Sequence, residues 1–280
     1  MTSSLGIASV VHAIVAHLAL DAPAGRTPIT RIGTNAPAVA ITFDACATRT
    51  QSNGFDRAIF DFLRTQDVPA TIFVSGRWVE THPDAMAEMI AAGFEFGDHS
   101  YDHPHMRTLT VAQIGEEIDQ TEAVLSRYGK RSVAFRPPFG EWSPRVLEVV
   151  RDRKLPAVLW DVVSGDPAAS MKSGEIIRTV LRNTKAGSIV IFHINGRAHG
   201  TAEALPVIVR ELRARGFRFV PLSSLLAVQT PASKGPLAPV TPPPLAAPPL
   251  LLPAPPPVAP VAVGPDDPLP LSDVQTSLAR

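Results

Sequence analysis

Five short stretches of this sequence carry side chains able to move protons or hold a cation: ITFDACAT (41–48), HSYDH (99–103), RPPFG (136–140), WDVVSGDP (160–167) and SIVIFH (188–193). In the first, Asp44 ends an apolar run and is followed by Ala45 and by Cys46, the single cysteine of the chain. In the second, His99 and His103 stand four residues apart, which suits zinc or a similar divalent ion if the loop turns helically after a strand. The prolines of the third stiffen an extended turn and fix the direction of Arg136 and of the N–H groups around Phe139, donors suited to a developing oxyanion. A structural role for Arg136, pairing a carboxylate to hold the site's mouth, is compatible with this. In the fourth, Asp166 follows a glycine in a loop where its carboxylate can orient an imidazole. His193 closes the fifth; a lone strand-end histidine is usually structural, and a carboxylate partner makes it a general acid.

Such residues need a frame that gathers strand ends. Residues 36–226 alternate apolar, β-branched runs with stretches of helical period. The runs AVAITF, ATIFVS, FEFG, VAFR, AVLWDVV, SIVIFH and RFVPL predict seven strands, and six helical segments lie between them. This pattern predicts an α/β fold with a closed or nearly closed β/α barrel, an open doubly wound sheet being the alternative from pattern alone. In a barrel the C-terminal strand ends converge on one face. Asp44, Asp98, His99, His103, Arg136, Asp166 and His193 all fall at or just after predicted strand ends, whereas His82, His105 and His199 read as loop residues directed elsewhere.

In this order and spacing, TFDA, HSYDHP, RPPFG, WDVVSGDP and IVIFH resemble the polysaccharide deacetylase family, the NodB-homology group also known as carbohydrate esterase family 4. The resemblance implies a distorted (β/α)7 barrel, NodB-like, and metal-dependent removal of acetyl groups from N-acetylated sugars. It makes Asp44 the general base for a metal-activated water, pairs Arg136 with it, and assigns His99 and His103 to a divalent ion, zinc first and cobalt as the alternative. His193, oriented by Asp166, becomes the acid that protonates the leaving amine, a step needed because an amide nitrogen leaves poorly unprotonated. Phe139, Trp142 and Ile191 fall in the implied substrate groove. The implied substrate is an N-acetylglucosamine-containing polysaccharide or oligosaccharide: a chitin oligomer, peptidoglycan or an exopolysaccharide.

Two positions depart from the family pattern. A second aspartate usually follows the first and supplies the third metal ligand; here that place is Ala45. Water or Asp44 itself ranks first as a substitute, Cys46 next, and Asp98 last because it should point opposite to His99. Pro167 stands where the family tends to have a tryptophan, which reshapes the groove. The expectation is weak metal retention with surviving activity. Two alternatives stay open: a catalytically impaired carbohydrate-binding module, and an amidohydrolase of the same fold acting on a small amide or cyclic imide.

The 280 residues are 45% hydrophobic, enough for one deacetylase domain over residues 30–228. The 26 basic residues balance 26 acidic ones, which argues against nucleic acid or an anionic membrane as partner. One cysteine excludes an intrachain disulfide framework. Residues 1–25, apolar from Leu5 to Leu20, resemble an export leader. That predicts the periplasm or cell envelope, with the cytoplasm as alternative. The stretch is short for a transmembrane span and is interrupted by His12 and His17. Residues 229–280 are proline-rich and are expected to be an extended spacer or an adaptor ligand.

Overall fold

The computed structural model describes residues 27–51 and 53–228. The predicted leader and the proline-rich tail lie outside the described residues. Along the chain come β1 (Ala38–Ala45), α1 (Arg57–Thr65), β2 (Ala70–Val74), α2 (Gly76–Thr81), α3 (Pro83–Ala91), β3 (Glu95–Asp98), α4 (Val111–Ser126) and α5 (Pro144–Asp152). They are followed by β4 (Val162–Val163), α6 (Ser173–Asn183), β5 (Ile189–His193), α7 (Thr201–Ala214), β6 (Arg218–Phe219) and α8 (Leu222–Ala227). All strand pairs are parallel, in the order β3-β2-β1-β5-β4, with β6 paired to the start of β1.

Alternation along the strands creates two cores. Val39, Ile41, Phe43 and Ala45 of β1 face outward with Ile72, Val74, Phe96, Val190 and Phe192, and meet Phe60, Leu63, Met86, Leu205 and Ile208 from the surrounding helices. The other side of the same strands looks inward, where Ala38, Ala40, Phe73 and Ile189 meet Ile32, Val220 and α8 through Leu222, Leu225 and Leu226. Burial on both faces is what a parallel sheet requires, and it explains why β1 is buried from end to end. A third cluster sets Ile114 and Ile118 of α4 and Val146, Val149 and Val150 of α5 over Phe135.

The six predicted helices all form. The six-residue α2 and α8 are additional, too short to show a helical period. The strand prediction is too generous in three places, and RFVPL keeps only the two residues of β6. VAFR forms no ladder strand, although Val133 N bonds Phe96 O, Asp98 N bonds Ala134 O and Arg136 N bonds Asp98 O. Prolines 137 and 156 bracket this part of the barrel without N–H donors, so pairing shrinks to isolated bridges, Asp98 with Phe135 and Phe135 with Ala157. AVLWDVV shortens to β4 because the Asp161 side chain, not a backbone carbonyl, accepts the Ile189 N–H at 2.9 Å. The result is a distorted barrel whose continuous ladder is open between β3 and β4.

Candidate active site

Asp44 and His193 are register partners on β1 and β5, so their side chains leave adjacent strands toward the same opening. Asp44 is buried, and Arg136 Nη1 donates to its Oδ1 at 2.6 Å. Burial works against its ionisation, but the nearby Arg136 charge, with smaller help from His99 and His193, outweighs it and holds the carboxyl below the usual range. Arg136 is itself fully buried. Its Nη2 donates to Thr42 Oγ1 at 2.9 Å and to Leu159 O at 3.2 Å. The guanidinium lies 3.9 Å from the centre of the Phe73 ring and 5.4 Å from that of Trp160, contacts that favour a cation. The Asp44 carboxylate is thereby fixed in charge and position.

Opposite it, His193 Nδ1 meets Asp166 Oδ1 at 2.9 Å. Asp166 is fully buried and its oxygens also accept from His193 N, Ser164 Oγ and Thr201 Oγ1. With Nδ1 engaged, Nε2 is the nitrogen left for a substrate. Burial pulls the His193 pKa down, yet the hydrogen bond and charge of Asp166, with Asp44, lift it above the ordinary value. An imidazole whose protonated form is favoured in this way suits a general acid.

His99 Nδ1 donates to Arg136 O at 2.7 Å, which leaves Nε2 unprotonated and 3.4 Å from Asp44 Oδ2. This is the tautomer a cation ligand requires, set by a backbone carbonyl as is usual at metal sites. His103, with φ 57°, places its ring edge-on to that of His99 at 4.8 Å. Burial, then the neighbouring His99, pushes its pKa down to about 3, and burial lowers that of His99, so both imidazoles are neutral donors. The two histidines thus suit a divalent ion. Among the described residues, however, no group of three or more His, Cys, Asp or Glu side chains is arranged to hold one. Ala45 packs its methyl in the helix-facing core. Burial, followed by the Asp44 charge, lifts the Cys46 thiol to about 12, and Asn195 Nδ2 contacts its sulfur at 3.2 Å, so it is a poor ligand. Asp98 faces α4, opposite to His99 as expected: its pKa is raised by burial and then by Glu122, Glu117 and Asp119, and its Oδ1 accepts from Ser100 N. Asp44 Oδ2 is therefore the one carboxylate oxygen beside the pair.

Of the groove residues, Phe139 stands 56% exposed, edge-on to His103 at 4.5 Å. Ile191 is buried on β5, one alternation below His193 and paired with Thr42. Trp142 is half-buried in the segment leading to α5 and is not part of the ring cluster around His103. Asp161 is structural, accepting from Ser188 Oγ and Ile189 N. His82 stacks on Trp78, and His199 is exposed, its N–H donating to Asp166 O. His105 corrects the expectation that it points elsewhere: it stacks on Phe139 at 4.3 Å. Thr42, Ser164 and Thr201 were not expected. Thr42 lies two residues before Asp44 on the same strand, so alternation alone places it on the same face.

The comparisons with known proteins agree with this geometry. Residues 31–158 match the family model described as polysaccharide deacetylase. A peptidoglycan-N-acetylglucosamine deacetylase of Bacillus cereus is 30% identical over 194 residues, 68% of this chain and 69% of that protein. The uncharacterized protein YlxY of Bacillus subtilis is 27% identical over 62% of this chain, and the match spans only 54% of YlxY. Among solved structures, BA3943 of Bacillus anthracis, described as a family 4 pseudoenzyme, superimposes with a TM-score of 0.65 at 27% identity, covering 72% of this chain and 69% of that one. Motifs, barrel and sequence relatives converge, and the chain belongs to the polysaccharide deacetylase family, carbohydrate esterase family 4.

Proposed function

We propose that the chain hydrolyses the N-acetyl amide of an N-acetylglucosamine-containing polysaccharide or oligosaccharide. The observation that carries this reading is the pairing, in register on adjacent strands, of an ionised carboxylate with an imidazole kept protonatable by its own aspartate. Asp44 takes a proton from the attacking water while Arg136 holds it in place. His193 Nε2 gives a proton to the departing nitrogen, and Asp166 stabilises the imidazolium before that transfer. In the turn at Pro137, Pro138 and Phe139 only Phe139 carries a backbone N–H, and that N–H is the donor offered to the developing oxyanion. A divalent ion, zinc or alternatively cobalt, held by His99 and His103 would polarise the acetyl carbonyl and acidify the water. The cell envelope, where such glycans lie, is the proposed location.

Ala45 and the likeness to a pseudoenzyme favour a second reading, a carbohydrate-binding module without turnover. The test is acetate release from chitooligosaccharides and peptidoglycan by the full chain with added zinc or cobalt. Release is expected, and Asp44→Asn should lower it by about 10²-fold or more. No release from any N-acetylated glycan, or equal release from the variant, overturns the hydrolase. Saturable, metal-indifferent glycan binding without acetate supports the module.

A further inference from the structure

Four aromatic rings lead from the buried floor of the site to solvent. His99 is edge-on to His103, His103 is edge-on to Phe139, and Phe139 stacks on His105 with 14° between the ring planes. The outer two are open: Phe139 is 56% exposed and the His105 side chain 60%. His105 Nδ1 lies 3.1 Å from Glu141 Oε2, which fixes the imidazole plane. The proton transfers assigned to Asp44 and His193 use neither His105 nor Glu141.

The arrangement goes against two ordinary preferences. Phe139 is the one aromatic among the exposed large hydrophobic residues of the described chain, and it sits at φ 58°, a region that costs a non-glycine residue on the order of 1 kcal/mol or more. Next to it, Gly140 at φ 68° passes so close to Trp160 that a Cβ there would come within 3.1 Å of that ring. The turn thus lifts an aromatic face out of the barrel wall beside the site instead of burying it. Such strain at a site mouth is commonly retained for binding.

We infer that the Phe139–His105 stack and Glu141 form an accessory sugar subsite for a neutral N-acetylhexosamine chain, taking the sugar next to the one that carries the reacting acetamide. This rests on the deacetylase reading of the site. A pyranose presents a face of C–H bonds whose partial positive charge complements the negative face of an aromatic ring. Its equatorial hydroxyls need acceptors at the rim, and Glu141 is an acceptor beside the stack. Because Glu141 already orients His105, little side-chain freedom remains to be lost on binding. The subsite would favour oligomers over the monosaccharide, and the Glu141 carboxylate would disfavour acidic chains.

The test is calorimetric titration of chitotetraose and of N-acetylglucosamine into the full chain carrying Asp44→Asn, with and without His105→Ala, together with steady-state kinetics in the Asp44 background. His105→Ala should weaken tetraose binding roughly threefold to tenfold, the range of an aromatic contact. The loss should appear in KM for the tetraose and not in monosaccharide binding, and His105→Tyr should restore affinity. Tetraose affinity equal in parent and His105→Ala, or no tetraose binding at all, overturns the subsite. His105-dependent binding without acetate release by the Asp44 protein leaves the subsite standing and removes the deacetylase reading instead.

Discussion

Asp166 has every acceptor direction committed, to His193 N and Nδ1, Ser164 Oγ and Thr201 Oγ1, so it is a positioning residue whose removal is felt through His193. With Asp166→Asn the main force raising the His193 pKa is lost and burial, which lowers it, remains. The basic limb of the pH profile of kcat/KM should therefore move to lower pH, with a loss on the order of 10²-fold above neutrality. The sign for stability follows from the same shift. A histidine whose folded pKa lies above its unfolded value adds stability that is fully present below the unfolded pKa and is lost as pH rises through the folded one. The Tm gap between parent and variant should thus be wider at acidic than at alkaline pH. A basic limb that stays in place in the variant, with a Tm gap independent of pH, would show that Asp166 does not tune His193. This pair was legible in the sequence because a Gly-Asp loop follows one strand and a histidine ends the next. Ala45 was legible as a missing ligand. That its methyl belongs to the helix-facing core, with no exposure, required the strand to remain regular through position 45, which sequence alone does not settle.

At the level of elements, β3 supports the site through a residue with no side chain. A Cβ on Gly97 would collide with the Phe73 ring of the neighbouring strand, and that ring is what the Arg136 guanidinium rests on. Phe73 is fully buried and has no room to retreat. Gly97→Ala should cost about 1–3 kcal/mol by overpacking. It should also lower kcat/KM, because tilting Phe73 displaces the cation that fixes Asp44. Gly33→Ala, at a position with nothing within 4 Å, is the control and should be near neutral. Denaturant melts and acetate assays in which Gly97→Ala matches Gly33→Ala would remove this link between β3 and Asp44. The six longer helices and the central strands were readable because period and burial agree over many residues, as in β1 and α7. The supports of Arg136 were not, since Phe73 lies 63 residues away from it in the chain and looks like an ordinary core aromatic, and nothing in the sequence ties Trp160 to Arg136.

For the molecule as a whole, the barrel is strongest where β2, β1 and β5 share continuous ladders and weakest where β3 is joined to β4 through residues 133–136 and 157–159. Across the first region five consecutive register pairs join each strand to the next. Across the second, Phe135 bridges Asp98 on the β3 side and Ala157 on the other, where its N–H donates to Pro156 O and its carbonyl accepts from Val158 N, while Ile29 caps the far side of Val158. The prolines that stiffen the turn after Arg136 also remove the donors a full ladder would need, so rigidity at the Arg136 mouth is gained where the wall is thinnest. Local opening free energies follow the density of such bonds. Amide hydrogen exchange under native conditions should therefore show Val133, Phe135 and Val158 exchanging through an opening smaller than global unfolding. Ile41, Phe43, Ile72 and Val190 should exchange only at the global limit. Because Arg136 bridges this seam to Asp44, Asp44→Ala should raise exchange at Phe135 and Val158 more than at Ile72. Equal protection of the seam and the β1 core in the parent, or a uniform change in the variant, would mean that the barrel opens as one unit and that the Asp44–Arg136 pair does not brace the seam.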